Sequence, residues 1–139
     1  MKISTRGRYA VRFLLDVAQN QADGYVSVRD VSTRQNISRK YLEQILPLIT
    51  SAGLVRATRG SNGGYKLVKE PSEYSVSEIL KITENSLAPV SCLDSPVNEC
   101  ERADTCQTLP VWIGLYEVIE NYLDNITLQD IIDGNVNSK

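Results

Sequence analysis

Cys92, Cys100 and Cys106 are the residues best equipped for chemistry in this 139-residue chain, and they are its only cysteines. They form a Cys-x7-Cys-x5-Cys pattern in a polar stretch with Pro89, Asp94, Pro96, Asn98, Glu99 and Asp104. A segment this polar is unsuited to a core, so the thiols do not read as buried hydrophobes. An odd number of cysteines leaves one unpaired after any disulfide, and a reducing compartment would keep the others reduced as well. Three thiolates gathered in one loop could hold zinc or an iron-sulfur cluster, with a fourth ligand from elsewhere. The spacing is wider than the C-x2-C knuckles of structural zinc, which favours a cluster, 2Fe-2S or 4Fe-4S, over zinc.

Other chemistry is poorly provided for. The chain has no histidine, which removes the commonest general base and the commonest nitrogen ligand. It has neither a Gly-x-Ser-x-Gly elbow nor a Gly-x4-Gly-Lys-Ser/Thr phosphate loop. These absences argue against an enzyme of hydrolysis or phosphoryl transfer.

Charge divides the chain in two. Residues 1–70 hold twelve Lys and Arg against five Asp and Glu, whereas residues 71–139 hold three against twelve. A basic half in a chain of net charge −2 suggests a polyanion-binding surface joined to a regulatory segment. Residues 1–70 are therefore expected to bind DNA, and residues 71–139 to form a cysteine-loop and dimerisation region. Apolar runs are short, and Arg12 interrupts the N-terminal one, so a cytoplasmic protein with no membrane partner is expected.

The elements that would position these groups can be read from periodicity and caps. Ser4 or Thr5 can cap a first helix to about Gln21, with Tyr9, Ala10, Phe13, Leu14, Val17 and Ala18 at helical spacing. Ser27 can cap a short helix carrying Val28 and Val31, and Asn36 marks the turn after it. Ser38 opens a third helix that turns Tyr41, Leu42, Ile45, Leu46 and Ile49 inward and exposes Arg39, Lys40, Glu43 and Gln44. Pro47 within it predicts a kink or a tightened last turn, and Gly53 stands where a C-cap belongs.

Leu54–Thr58 and Tyr65–Val68 read as strands joined by the glycine-rich Arg59–Gly64 segment. Helix, short helix, turn, helix and hairpin is the order of a winged helix-turn-helix. A phosphate cradle at the glycine-rich tip would need a helix to follow, and a strand follows instead. Arg39, Lys40, Arg56, Arg59 and Lys66 make the basic face expected of a DNA binder.

Beyond Pro71, Ser75 or Ser77 can cap a fourth helix containing Ile79, Leu80 and Ile82. Leu87–Leu109 lacks periodicity and reads as a long functional loop. Pro110 suits the first turn of a long helix to about Asn125, and Thr127 can cap a last short one ending at Gly134. The long helix bears two apolar stripes, Val111, Leu115, Val118, Tyr122 and Ile126 in one, Trp112, Tyr116, Ile119 and Leu123 in the other. That is more than one face can use, which points to a helix shared with a second subunit. The fold class expected is mainly α with a small β-hairpin: a winged helix-turn-helix and a long C-terminal dimerisation helix.

Four segments carry a specific resemblance: residues 1–10 (MKISTRGRYA), residues 37–45 (ISRKYLEQI), Ala52–Val55, and the wing residues 59–67 (RGSNGGYKL). Over nearly its full length the chain resembles the IscR/NsrR family of bacterial regulators, which includes sensors of iron-sulfur clusters, nitric oxide, iron and cysteine metabolism. The resemblance implies a homodimer on palindromic, double-stranded promoter DNA. It places Ser38, Arg39, Tyr41, Glu43 and Gln44 against base edges and phosphates, with Arg59 and Gly60 in the wing. It also matches Cys92, Cys100 and Cys106 to the thiolates of cluster-binding members, where cluster state alters DNA binding and the regulator is most often a repressor. Some members add a histidine shortly after the third cysteine, where this chain has Leu109. Others use a carboxylate from the first helix of the partner subunit, where this chain has Arg8. The fourth ligand is thus unassigned, with Glu101, Asp104, a small exogenous ligand or water as candidates. The alternative within the resemblance is a winged-helix regulator of sulfur or cysteine metabolism without a cluster, acting by thiol redox or a partner protein.

Overall fold

A computed structural model describes residues 2–138. Ser4 is extended (φ −67°, ψ 159°), and its hydroxyl accepts the Gly7 amide, capping α1 (Thr5–Asn20). This satisfies one of the amides that a helix start leaves without a partner. The helical spacing then puts Ala10, Phe13, Leu14 and Val17 on one face, and all four are fully buried. Ser27 and Ser38 repeat the device for α2 (Val28–Gln35) and α3 (Arg39–Ser51). The turn between those helices is made by Asn36 in the left-handed region (φ 53°, ψ 48°), which asparagine tolerates better than most residues.

α3 buries Leu42, Ile45, Leu46 and Ile49. It continues through Pro47, which is exposed, as is Glu43 one turn earlier. Tertiary packing of the buried face outweighs the lost intrahelical bond. The helix stops at Gly53 (φ +77°), where Gly53 donates to Thr50 and Leu54 donates to Ile49. That pair of backbone bonds is a Schellman closure, and only glycine enters it without steric cost.

The chain leaves this closure as β1 (Val55–Thr58), which pairs antiparallel with β2 (Gly64–Leu67) in the register Val55↔Leu67 to Thr58↔Gly64. The other edge of β2 is held at one point by Val26, which exchanges backbone bonds of 2.9 and 2.8 Å with Tyr65. Close approach governs the connecting tip. A Cβ on Gly63 would lie 2.4 Å from the Thr58 carbonyl oxygen, and one on Gly64 would lie 2.2 Å from that of Val26. No side chain fits at either position.

α4 (Val76–Thr83) is capped by Ser75 rather than Ser77; the latter is buried. A long loop with one 3-10 turn at Ser91–Leu93 leads to α5 (Leu109–Asp124), with Pro110 in its first turn. α6 (Leu128–Asp133) starts in a capping box, with Thr127 Oγ1 accepting the Asp130 amide and the Asp130 carboxylate accepting the Thr127 amide. A backbone bridge between Ser75 and Thr127 brings α6 back beside the start of α4.

One core joins these pieces. Phe13, Leu14, Leu42, Ile45, Ile49, Tyr74, Ile79 and Leu128 belong to a single buried cluster, so residues from both sides of position 70 contribute to it. Tyr74 is fully buried. Its hydroxyl donates to the Leu54 carbonyl at 2.5 Å and accepts the Val68 and Lys69 amides at 2.9 and 3.1 Å. The base of the hairpin is thereby tied to the segment preceding α4.

The outer stripe of α5 differs from expectation in one residue. Val111, Leu115, Val118 and Tyr122 are exposed, but Ile126 is 4% exposed and belongs to the interior. The helix has ended by then, and the Ile126 carbonyl accepts the Val76 amide, so the residue is turned into the core beside α4. Trp112 and Ile113 are exposed too, and α5 buries no residue fully.

Candidate nucleic-acid interface and cysteine loop

The expected DNA-contacting residues divide between the start of α3 and the hairpin tip. Ser38 uses its hydroxyl oxygen to accept the Tyr41 amide at 3.1 Å, which fixes the first turn of α3. Arg39, Lys40, Glu43 and Gln44 project outward and are exposed. Opposite them, the apolar face of the same helix is spent on the core, so the helix has a polar side available to a partner. Arg59 and Gly60 are exposed at the hairpin tip, and Gly63 donates to the Gly60 carbonyl at 3.0 Å to close the turn. Arg56 and Lys66 are cross-strand partners; the Lys66 ammonium lies 5.1 Å from the centroid of the Tyr25 ring.

Tyr41 is half-buried and packs edge-on against Tyr9 of α1, ring centroids 5.2 Å apart at 73°. Its two expected roles, core-facing and partner-facing, therefore coexist in one side chain whose ring is supported and whose rim is open. The sequence assigns Tyr9 only to the apolar period of α1, and nothing in that spacing announces its contact with Tyr41.

Behind this face lies a buried charge. Asp16 is 2% exposed; it receives two atoms of the Arg34 guanidinium, the shortest contact being 2.8 Å, and the Gln35 amide at 2.9 Å. The hydrogen bond that Arg34 donates to Asp16 raises the Arg34 pKa above its ordinary value, with burial opposing the shift and the Asp16 charge adding to it. A carboxylate one turn after Phe13 and next to Val17 on an apolar face was the sequence signal for such a pair, since buried acids are rarely unpaired. The pair fastens α2 to α1 and so fixes the turn from which α3 starts.

All three cysteines are free thiols; Cys100 is exposed and Cys92 and Cys106 are partly so. The chemistry of this donor set, three thiols without disulfide or core partners in one polar loop, fits a cluster or a thiophilic metal. The loop does not gather them: among the described residues, no group of three Cys, Asp or Glu side chains stands close enough to hold a metal ion. Cys106 Sγ lies 3.4 Å from the Thr108 hydroxyl. Hydrogen bonding from Thr108 lowers the thiol pKa, with a smaller contribution from the Arg102 charge. Glu101 and Asp104 are exposed nearby in sequence.

The loop is also linked to α5 and α1. Tyr116 of α5 shares a small cavity of about 200 Å³ with Glu84, Leu87 and Asp94. Burial, followed by a hydrogen bond to Glu120, raises its phenol pKa. Glu84, where the loop begins, accepts the Ser4 amide at 2.6 Å, and the Arg6 guanidinium donates to the neighbouring Thr83 carbonyl at 2.6 Å.

A polar-faced helix presented beside a basic hairpin, on a scaffold of α1 and α2, defines a winged helix-turn-helix protein. More particularly, the chain belongs to the Rrf2 family, described as "Iron-dependent Transcriptional regulator", which matches residues 3–134. It is 38% identical over 133 residues to the HTH-type transcriptional regulator IscR of Klebsiella pneumoniae (strain 342), spanning 96% of this chain and 80% of that one. Among solved structures, T. potens IscR is similar at 36% identity with a TM-score of 0.78, covering 96% of this chain and 88% of that one. CymR (YrzC), the global cysteine regulator of B. subtilis, is similar at 31% identity and a TM-score of 0.77, covering 94% and 95%. The chain is thus a transcription regulator of IscR-like type and not an enzyme. Among the described residues, no helix is long and apolar enough to cross a membrane.

Proposed function

We propose that this regulator is a cytoplasmic homodimer that binds double-stranded promoter DNA as a repressor, and that an iron-sulfur cluster on Cys92, Cys100 and Cys106 controls that binding. In this reading residues 1–70 contact DNA and residues 71–139 sense and dimerise. Ser38, Arg39, Tyr41, Glu43 and Gln44 face the major groove, and Arg59 and Gly60 of the wing meet the backbone. The observation that carries the reading is the placement of three unpaired thiols on one loop between α4 and α5, where α5 leaves Val111, Leu115, Val118 and Tyr122 exposed in a stripe.

When bound, a cluster would supply iron-sulfur bonds sensitive to cluster supply, iron, oxygen or nitric oxide. The chain's own part would be to supply the three thiols, which give up their protons to solvent on binding, and to draw the loop together around them. A fourth position would fall to Glu101, Asp104, a small exogenous ligand or water. Only two residues separate Cys106 from the start of α5, so ordering the loop fixes where that helix begins. Two copies of α5 packed through the exposed stripe would set the distance between two recognition helices, which a palindromic site requires.

Anaerobic reconstitution tests the cluster: wild type should bind iron and sulfide with visible absorbance, and each Cys→Ala variant should lose most of it while keeping its fold. Duplex titrations test the DNA face. Arg59→Ala should weaken binding and reduce its salt dependence, whereas Gln44→Ala should relax sequence choice. Replacing Leu115 and Tyr122 with glutamate should convert a dimer into monomer or aggregate by sedimentation. A wild-type monomer at micromolar concentration would refute the dimer.

A second reading rests on the separation of the thiols, which are not collected into a coordination sphere. Here the cysteines serve thiol redox chemistry, or a partner protein acts on the regulator, in sulfur or cysteine metabolism. Absence of bound iron after reconstitution, together with DNA binding altered by thiol oxidation, selects this second reading.

A further inference from the structure

Arg12 is drawn into the protein by three contacts with two neighbours, Tyr9 and Gln35. Its guanidinium carbon lies 5.2 Å from the Tyr9 ring centroid. Its Nε donates to Gln35 Oε1 at 3.2 Å, and its Nη2 donates to the Gln35 carbonyl oxygen. That carbonyl belongs to the last residue of α2, where unpaired helix carbonyls attract a cation. Gln35 is in turn held by its amide on the buried Asp16 carboxylate. The Arg12 charge is therefore engaged inside the domain, on the α2 terminus and on an aromatic face, in a geometry that suits a planar guanidinium and not a lysine.

What this clamp holds is Tyr9, and what Tyr9 touches is the Tyr41 ring on the recognition helix. Tyr41 is in the first turn of α3, beside the exposed Lys40 and one residue from the buried Leu42. Without a ring beside it, its side chain would be free to choose among staggered rotamers. An edge-to-face neighbour at 5.2 Å removes that choice before any partner arrives. Ordering a side chain in advance lowers what association must supply in lost freedom.

Resting on the DNA-binding reading, we infer that Arg12 and Tyr9 are positioning residues that hold Tyr41 in place for DNA through a chain running Asp16–Gln35–Arg12–Tyr9–Tyr41 across α1, α2 and α3. Neither a basic patch nor a phosphate contact is required of Arg12. This distinguishes it from Arg39, Lys40 and Arg59, whose charges face outward.

The distinction can be measured. A duplex is first selected by wild-type protein from a random library, and its affinity is then measured over a range of salt concentrations. Arg12→Gln is expected to weaken binding by roughly tenfold with the slope of log K against log salt unchanged, because no phosphate contact is lost. Arg59→Ala, the control for a phosphate contact, should lower that slope by about one. Tyr9→Leu should weaken binding as Arg12→Gln does, and Tyr9→Phe, which keeps the ring, should restore wild-type affinity. Circular dichroism establishes that each variant is folded; if Arg12→Gln does not fold, the two Tyr9 variants decide alone. A slope reduced by about one in Arg12→Gln would make Arg12 a phosphate ligand and overturn the inference. So would wild-type affinity in Tyr9→Leu, or a Tyr9→Phe as weak as Tyr9→Leu. If wild type selects no duplex, the DNA-binding reading itself falls and takes the inference with it.

Discussion

Tyr74→Phe removes one oxygen atom from the interior and leaves the ring that fills the space around it. Three hydrogen bonds go with that atom: one donated to the Leu54 carbonyl and two accepted from the Val68 and Lys69 amides. The Leu54 carbonyl retains a second, longer bond from Val68 at 3.4 Å, so it is not orphaned. The two amides lie only partly buried and can recover some hydration. At about 1 kcal/mol net per hydrogen bond, and with no cavity term, the variant should lose about 2–3 kcal/mol. For a chain of this size that corresponds to a fall of roughly 10 °C in Tm. The cation-π contact of Lys69, 4.7 Å from the ring centroid, survives in phenylalanine and does not add to the loss. Thermal and urea denaturation at one fixed protein concentration measure the effect, since association would otherwise shift the apparent stability. Tyr25→Phe, which lies outside the α5 stripe and keeps the ring that faces Lys66, supplies the control and should change stability by less than about 0.5 kcal/mol. A Tyr74→Phe loss as small as that of the control would refute the assignment of this hydroxyl as the tie between hairpin and α4.

Gly64→Ala should cost more than about 2 kcal/mol, because its methyl would meet the Val26 carbonyl and its φ of +156° is strained for any side chain; a denaturation midpoint equal to wild type would contradict this. Ser77→Ala should stabilise the protein by about 1 kcal/mol, since the Ser77 hydroxyl is buried with no hydrogen-bond partner. A destabilised Ser77→Ala would mean that the hydroxyl is satisfied after all. In metal-free protein, alkylation of Cys106 should follow a pH profile displaced below that of an unperturbed thiol. The Thr108 contacts favour its thiolate, so more of the reactive form is present at a given pH. Thr108→Val should move the profile back up, as read by mass spectrometry of the labelled peptide, and an unmoved profile would exclude the Thr108 hydroxyl as the cause.

Local chemistry made most of the fold legible. Ser4, Ser27, Ser38, Ser75 and Thr127 each cap a helix, and each is of a residue type whose short oxygen side chain reaches the amide of N2 or N3. Asn36 and Gly53 announced two helix ends for similar reasons. The hairpin followed from its glycines and the alternation around them. Contacts made at a distance were less accessible. Nothing in the neighbourhood of Tyr74 says that its hydroxyl will meet Leu54, 20 residues away, and the Arg12–Gln35 pair likewise depends on how α2 lies across α1. The spacing of Ile126 continues the heptad of the α5 stripe, but the helix ends two residues earlier, at Asp124, after which period has no bearing on direction. The cysteines were legible as donors, by type and proximity in sequence. Their arrangement in space was not, because the loop that carries them has no regular structure from which spacing could be converted into distance.

Two of the three glycines at the hairpin tip also bear on how such a regulator could diversify. Gly63 and Gly64 are closed to substitution by backbone atoms of Thr58 and Val26, so the shape of the wing is inherited with them as a unit. Arg59, Ser61 and Asn62 are exposed on the same tip and meet no comparable obstruction. A lineage could therefore rewrite what the wing says to its partner, in charge and hydrogen-bonding groups, without renegotiating how the wing is built. Drift in recognition would accumulate at those three positions while the two neighbouring ones stood still.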